Sequence, residues 1–223
     1  LTNKAGSALT VDADYVIVHG FHANFAAKCE KPGYAIALAV EILQQTEGYD
    51  HYEDMITGLT NVFELCENAA QHCKKLAKKF AEDFKDDKMI YFMASGASEK
   101  MAYSHAAFLF TEMQWIDAAA YNTGEYFHGP FEATEPGVFY FVQLGAGECR
   151  PMEERALAFL NTHTDTVMVL DALEYGVGEV PASVRSFLEP IFFYAMSCEL
   201  RAARGKVFDH SPEVRRYMGI EQY

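Results

Sequence analysis

Two carboxylates and one imidazole, Glu112, Glu125 and His128, lie in a short stretch that reads TEMQWIDAAAYNTGEYFHGPF over residues 111–131. Carboxylates and imidazoles are the side chains that most often move protons in enzymes. A span that concentrates acid and base candidates is therefore the first place to look for chemistry.

Glu112 directly follows an apolar helix pattern that contains Phe108, Leu109 and Phe110. A carboxylate in such surroundings is costly unless it is paired or has a function. We therefore predict that Glu112 is a general base. The alternative from local sequence is an exposed residue at a helix end, or a member of an ion pair.

His128 follows two aromatic residues and precedes Gly129-Pro130, a pair that predicts a rigid turn able to aim the imidazole. It is the second predicted catalytic residue, although a loop histidine taken alone is usually structural or exposed. Glu125 lies near a predicted helix start and is a candidate substrate-binding residue. Helix capping or compensation of the helix dipole is its alternative role.

The sequence SGAS at 95–98 connects a predicted strand to a predicted helix. Free backbone N–H groups and the helix dipole make such a junction an anion site. Ser95 and Ser98 are therefore predicted to bind substrate, through a phosphate group; a plain tight turn is the alternative. Near the end of the chain, Arg215 and Arg216 could also bind an anion or simply be solvated.

The histidines His19 and His22 have H-x-x-H spacing, but no nearby carboxylate or cysteine completes a metal site. We predict no metal. The net charge of −14 argues against nucleic-acid binding, and no apolar run reaches the ~20 residues that span a bilayer. Five cysteines, without a C-x-x-C pair, favour a reducing compartment and thus the cytoplasm.

The elements that must position these side chains alternate between strand and helix from residue 87 onward. Strands are predicted at 89–93, 115–121, 138–144 and 166–170, with helices between them and a final helix from 181 to 204. This alternation predicts an α/β fold with a mostly parallel sheet and helices on both faces.

The first part of the chain differs, because it shows one predicted strand, at 15–18, and two helices, at 31–45 and 53–84. One strand cannot form a sheet by itself. We therefore expect residues 1–84 to be the end of a domain that begins upstream, with connecting helices; the alternative is a fragment that pairs with another chain. Residues 85–223 are expected to form a complete second domain with a C-terminal tail.

The predicted strand over 115–121 separates Glu112 from His128 by roughly 23 Å at ~3.3 Å per residue. One chain would then hold the two groups at opposite edges of its sheet. A single site that uses both needs two copies, which predicts a homodimer with shared active sites.

Three segments carry a resemblance to the sugar isomerase (SIS) family: SGAS at 95–98, EMQWIDAAAYNTGEYFHGPFE at 112–132 and HSPEVRRYM at 210–218. QQTEGYDHY, the ending RRYMGIEQY and the lack of a lysine after Lys206 resemble the deglycases of 6-phosphofructosyl amino acids more than the aminosugar synthases. The resemblance implies one complete SIS domain preceded by the remnant of another. The family's phosphate-binding loop is then expected before Leu1.

The resemblance also implies a function. Glu112 matches the family's general base, and His128 matches a histidine that assists ring opening from the neighbouring subunit. The substrate would be an Amadori product phosphorylated on its sugar, and the products glucose 6-phosphate and a free amino acid, without a cofactor. The alternatives are an aminosugar-phosphate ketose/aldose isomerase and a sugar-phosphate-sensing module without turnover.

Overall fold

The computed structural model describes residues 1–20 and 25–222, and the side chains of residues 25–28 are outside the description. Two long helices precede the sheet, α1 (Phe25–Thr46) and α2 (Tyr52–Asp83). The α2 prediction is confirmed, whereas α1 begins earlier than predicted and contains Pro32 in its interior. The preceding residues FAAKCE include good helix formers, which outweigh the hydrogen bond that the proline cannot make.

The predicted strand at 15–18 is wrong. Within the described residues, this segment makes only an isolated bridge between Thr2 and Val18. Its backbone has no neighbouring strand of the main sheet to pair with, and an unpaired strand is not stable in water.

Four strands form one parallel sheet in the order β2-β1-β3-β4, which confirms the predicted fold class. The strands are β1 (Met89–Ala94), β2 (Asp117–Asn122), β3 (Phe139–Leu144) and β4 (Val167–Asp171). The connecting helices are α3 (Glu99–Ser104), α4 (Thr123–Tyr126), α5 (Arg150–His163) and α6 (Arg185–Val207). The last of these begins four residues after Pro181, where the sequence pattern placed its start.

Helices cover both faces of the sheet, as predicted. On one face, side chains of β1 and β3 such as Ile90 and Phe141 join a core shared with α2 and α6. On the other face, Met93, Tyr140 and Val142 pack in a smaller cluster with residues of α4 and α5. Alternate residues of β1 and β3 thus face opposite layers, as the side-chain period of a strand requires.

The strand order creates a crevice between β1 and β3. The chain leaves β1 to form β2 on one side and then returns to form β3 on the other. In open α/β sheets, the carboxyl ends of the strands at such a switch point are the usual place for a ligand.

The helix after β1 changes type along its length. It starts as α3 and continues as a π segment over His105–Glu112. His105 is fully buried, and its Nδ1 lies 2.6 Å from the side-chain nitrogen of Gln143 on β3. Burial lowers the pKa of His105 to about 3. The π segment ends at Glu112, and π-helical turns are frequent at functional sites.

The C-terminal tail after α6 returns to the start of β2. The His210 ring contacts the Trp115 ring at a centroid distance of 4.4 Å, and its Nε2 lies 3.0 Å from the carbonyl oxygen of Met113. The last turns of α6 are tied to the same region, because buried Arg204 donates to the carbonyl oxygens of Phe84 and Asp87. The tail is thereby fixed beside Glu112.

Candidate functional site

Glu112 opens onto a pocket of about 420 Å³ between the π segment, the start of β2 and the C-terminal tail. We call it the tail pocket. Its polar and aromatic lining includes Glu112, Trp115, Asp117, Arg215, Arg216 and Tyr217. Both arginines come from the tail, so the pocket exists only because the tail folds back.

The Glu112 carboxylate forms an ion pair with Arg215, whose Nη2 lies 3.1 Å from Oε1. The side chains of Glu112 and Arg215 are 23% and 20% exposed. Arg215 also donates through Nη1 to the carbonyl oxygen of Pro212 at 2.6 Å, so the tail backbone holds the guanidinium in place. The ion-pair alternative for Glu112 is thus present, and the carboxylate still faces open space, as a general base must. Its catalytic role stays a prediction.

Trp115 forms the turn between the π segment and β2, and it has a left-handed backbone with φ of 55°. This conformation is rare for a bulky residue and persists only where the surroundings fix it. Here the Trp115 ring contacts His210 and lies 4.0 Å below the guanidinium carbon of Arg216. The strained turn therefore supports one wall of the tail pocket.

His128 and Glu125 lie together after the carboxyl end of β2, and both are exposed. The backbone N–H of His128 donates to the carbonyl oxygen of Glu125 at 2.9 Å, and Pro130 begins a short 3-10 helix. Asn122 rather than Glu125 caps α4, because its side-chain oxygen accepts from the N–H of Gly124 at 2.8 Å. The side chain of Glu125 thus remains open to solvent.

Glu112 and His128 are at opposite ends of β2. Glu112 precedes the first residue of the strand, His128 follows the last, and the six residues between Asp117 and Asn122 extend about 20 Å. His128 does not contribute to the tail pocket in the described part of the chain. The observed strand therefore supports the premise of the shared-site prediction, which itself remains untested.

A second cavity, of about 710 Å³, lies at the carboxyl ends of β1 and β3, at the switch point of the sheet. We call it the carboxyl-edge cavity. It contains the SGAS turn, the segment after β3 and two buried carboxylates from α5 and α6, with the lining residues including Ser95, Gly145, Arg150, Glu153, Ser186 and Glu189.

Ser95 is bound to the carboxylate of Glu153. Its N–H and its hydroxyl donate to Oε1 at 3.1 and 2.8 Å, and the N–H of Gly145 donates to Oε2 at 2.7 Å. Burial raises the pKa of the Glu153 carboxyl, an effect that these hydrogen bonds oppose. The backbone N–H of Ser95, which was predicted to bind an anion, therefore already donates to a carboxylate of the protein.

Ser98 is bound in the same way to Glu189. The hydroxyl donates to Oε1 at 2.8 Å, and the N–H of Ala146 donates to Oε2 at 2.6 Å. Burial raises the pKa of the Glu189 carboxyl as well. A Cβ at position 145 would lie 2.5 Å from Glu189 Oε1, so a larger residue there would displace this hydrogen-bonded carboxylate.

These contacts bear on the prediction that Ser95 and Ser98 bind substrate. A phosphate at the SGAS turn would meet two carboxylates and would compete with them for the same donors. The geometry favours a structural role for both serines, while the predicted substrate contact stays untested. Glu153 and Glu189 are not predictable from the sequence, because their partners are remote in the chain and neither residue lies in a motif.

Among the described residues there is no group of three or more side chains able to hold a metal. His19 is buried near the start of the chain, whereas His22 lies outside the described residues. None of the helices that the structure describes is long and apolar enough to cross a bilayer.

Solved structures with the same architecture are phosphosugar proteins. A Salmonella typhimurium protein described as a phosphosugar isomerase superposes with a TM-score of 0.86 and 31% identity, over 94% of this chain and 64% of its own. A Bacillus subtilis protein of the same description gives 0.78 and 36%, over 81% and 55%. These superpositions place the chain among phosphosugar proteins with the SIS fold.

Sequence comparison identifies the branch of the SIS family to which the chain is most similar. The chain is 33% identical to the fructosamine deglycase FrlB of Bacillus subtilis over all of its own length and 68% of that protein. It is 34% identical to the fructoselysine 6-phosphate deglycase of Escherichia coli over 59% of its length and 37% of that protein. No family model matches the chain. The chain belongs to the SIS family, in its deglycase branch, which confirms the predicted resemblance.

Proposed function

We propose that this protein is a deglycase that converts a sugar-phosphorylated Amadori product into glucose 6-phosphate and a free amino acid. The names of the relatives support the reaction class. The observation that carries the proposal is the Glu112 carboxylate at the wall of the tail pocket, held by a single ion pair and open to a bound molecule.

Proton transfer suffices for the reaction, with Glu112 as the base at C1. In the open-chain substrate, the carbon that bears the amine, C1, lies beside the ketone, which makes its proton acidic. Glu112 removes this proton, and the electron pair moves to the carbonyl carbon as its oxygen gains a proton, which gives an enaminol. Return of a proton to C2 gives an imine at C1, and water releases the amine and leaves an aldehyde.

His128 supplies the second proton-transfer group in this proposal, by opening the sugar ring to the ketone. Because β2 separates it from Glu112, the imidazole would come from a second copy of the chain, and the active form would be a homodimer. Glu125, exposed on the adjacent helix α4, would contact the substrate from that copy. None of the five cysteines forms a disulfide in the described part of the chain, which supports a cytoplasmic enzyme.

The test is Glu112→Gln in the full-length protein, which replaces the base by a group of equal shape. Release of glucose 6-phosphate from a phosphorylated fructosyl amino acid should fall by about 100- to 10,000-fold, because a general base contributes about two to four orders of magnitude. Glu135→Gln, which alters an exposed loop carboxylate, is the matched control and should keep full activity.

The same assay tests the shared site. Inactive Glu112→Gln and His128→Ala subunits, mixed and shown to form heterodimers, should regain part of the activity, because one of the two sites then has both groups. Unchanged turnover by Glu112→Gln would refute the base, and inactive heterodimers would refute the sharing.

A further inference from the structure

We propose that Arg216, together with Arg215, binds the α-carboxylate of the amino acid carried by the substrate. The enzyme then prefers Amadori products joined through an α-amino group over products of simple amines or of the lysine side chain. This inference rests on the proposed function and assigns the substrate class of the same pocket.

The first observation is the state of Arg216. Its guanidinium carbon lies 4.0 Å over the Trp115 ring, and no hydrogen bond or ion pair to this guanidinium occurs among the described residues. Stacking on an aromatic ring occupies the face of a guanidinium and leaves the donors along its edge available. Arg216 lines the tail pocket, so the pocket contains a fixed cation with an unused planar donor set.

The second observation is the position of Arg215. Its Nη2 is 3.1 Å from the carboxylate oxygen of Glu112. A base must come within about 3 Å of the group it deprotonates, so the cation lies close to C1 of a productively bound substrate. On an α-linked amino acid, only the nitrogen and the α-carbon separate C1 from the carboxylate. On a product of the lysine ε-amino group, the whole lysine side chain intervenes.

The third observation is that Arg215 has a replaceable partner. In the substrate-free site it pairs with Glu112, and both side chains are partly exposed. A substrate carboxylate offers Arg215 an equivalent bidentate acceptor. Exchange of partners would release Glu112 for proton abstraction while Arg216 fixes the other side of the carboxylate. A substrate without a carboxylate would leave the ion pair closed.

The sugar phosphate is the other anion that could meet these arginines. It lies at the end of the sugar remote from C1, whereas Arg215 touches the base that acts at C1. The position of Arg215 therefore favours the substrate carboxylate over the sugar phosphate as the ligand. One experiment distinguishes these two anions.

Three substrates separate them: the 6-phosphofructosyl derivatives of alanine, of ethylamine and of lysine linked through its ε-nitrogen. With the full-length protein, kcat/KM for the alanine derivative should exceed that for the ethylamine derivative by roughly 10- to 100-fold, as expected for a charge-assisted bidentate contact. The ε-linked derivative should resemble the ethylamine one.

In Arg216→Gln the ratio of kcat/KM for the alanine derivative to that for the ethylamine derivative should shrink to a few-fold. Arg155→Gln is the matched control, because Arg155 is also exposed and stacked on an aromatic ring, 4.2 Å over Phe127. It should leave all three rates unchanged.

Equal rates for the three substrates in the unmodified protein would overturn the inference and leave the deglycase proposal intact. A uniform loss on all three substrates in Arg216→Gln would also overturn it, because it would indicate phosphate or sugar binding. If none of the substrates releases glucose 6-phosphate, the proposed function itself fails, and the inference falls with it.

Discussion

The tail pocket and the carboxyl-edge cavity differ in how their carboxylates are used. In the carboxyl-edge cavity, Glu153 is 1% exposed and accepts three hydrogen bonds from the chain around it. In the tail pocket, Glu112 is 23% exposed and has one ion-pair partner. The Glu153 carboxylate is thus hydrogen-bonded within the fold, whereas the Glu112 carboxylate can still accept a hydrogen bond from another molecule.

The comparison shows that the position of a cavity in a fold does not decide its role. The switch point of a parallel sheet is the usual ligand site. Here that place is filled by Glu153 and Glu189, which take the donors that a bound anion would use. Glu112, the predicted base, lies instead where the tail covers the start of β2.

The largest effect that separates the two regions is on stability. Glu153→Ala leaves the N–H groups of Ser95 and Gly145 without an acceptor, and each buried unpaired donor costs about 1–3 kcal/mol. We expect the free energy of unfolding in urea to fall by about 3–5 kcal/mol. Glu112→Ala, which removes a partly exposed ion pair, should lower it by less than about 1 kcal/mol. Equal losses would remove the distinction between the two carboxylates.

A second effect concerns His105, which begins the π segment leading to Glu112 and contacts β3. Its pKa is about 3 in the fold because of burial, against about 6.5 when unfolded. The unfolded chain therefore binds an extra proton between these values. The contribution of the buried neutral imidazole to the free energy of unfolding is therefore fully present above pH 6.5. It is lost as the pH falls toward 3, by up to about 1.4 kcal/mol per pH unit.

Urea unfolding between pH 4 and 6 measures this slope. In His105→Leu the fall of stability with decreasing pH should lessen by up to that amount. Gln143→Leu removes the same side-chain contact but keeps the buried imidazole, so it should retain the slope. Burial raises the pKa values of Glu153 and Glu189, which act in the opposite sense, but both are present in each variant. Identical slopes in the two variants would contradict the assignment to His105.

The smallest effect is expected at Ser98. Ser98→Ala removes one donor from Glu189, which keeps the N–H of Ala146, so stability should fall by about 1 kcal/mol. If the carboxyl-edge cavity is structural, KM for the phosphorylated substrate should stay within about two-fold. A ten-fold rise in KM with unchanged stability would instead support the substrate contact predicted from the SGAS motif.

The sheet was predictable because its signal is local. Apolar runs bounded by turns place the four strands within about two residues of their observed ends, and their alternation with helices predicts parallel pairing. The strand at 15–18 was wrong for the opposite reason, since strand formation depends on a neighbour that the local sequence does not reveal.

The candidate site was predictable only in part. An unusual local setting and a family motif predict roles for Glu112 and His128. Arg215 is a candidate anion ligand from its position in the tail, but its pairing with Glu112 depends on the path of the tail after α6. The carboxylates of Glu153 and Glu189 and the π segment had no local signal at all.

The π segment makes the direction of Glu112 depend on residue count. Each residue of an α-helix turns the side chain by about 100°, so deleting one position such as Ala107 would rewind the segment and rotate the carboxylate away from the tail. A single-codon insertion or deletion there would therefore turn the predicted base toward or away from the tail pocket in a descendant protein, without any substitution in the pocket lining.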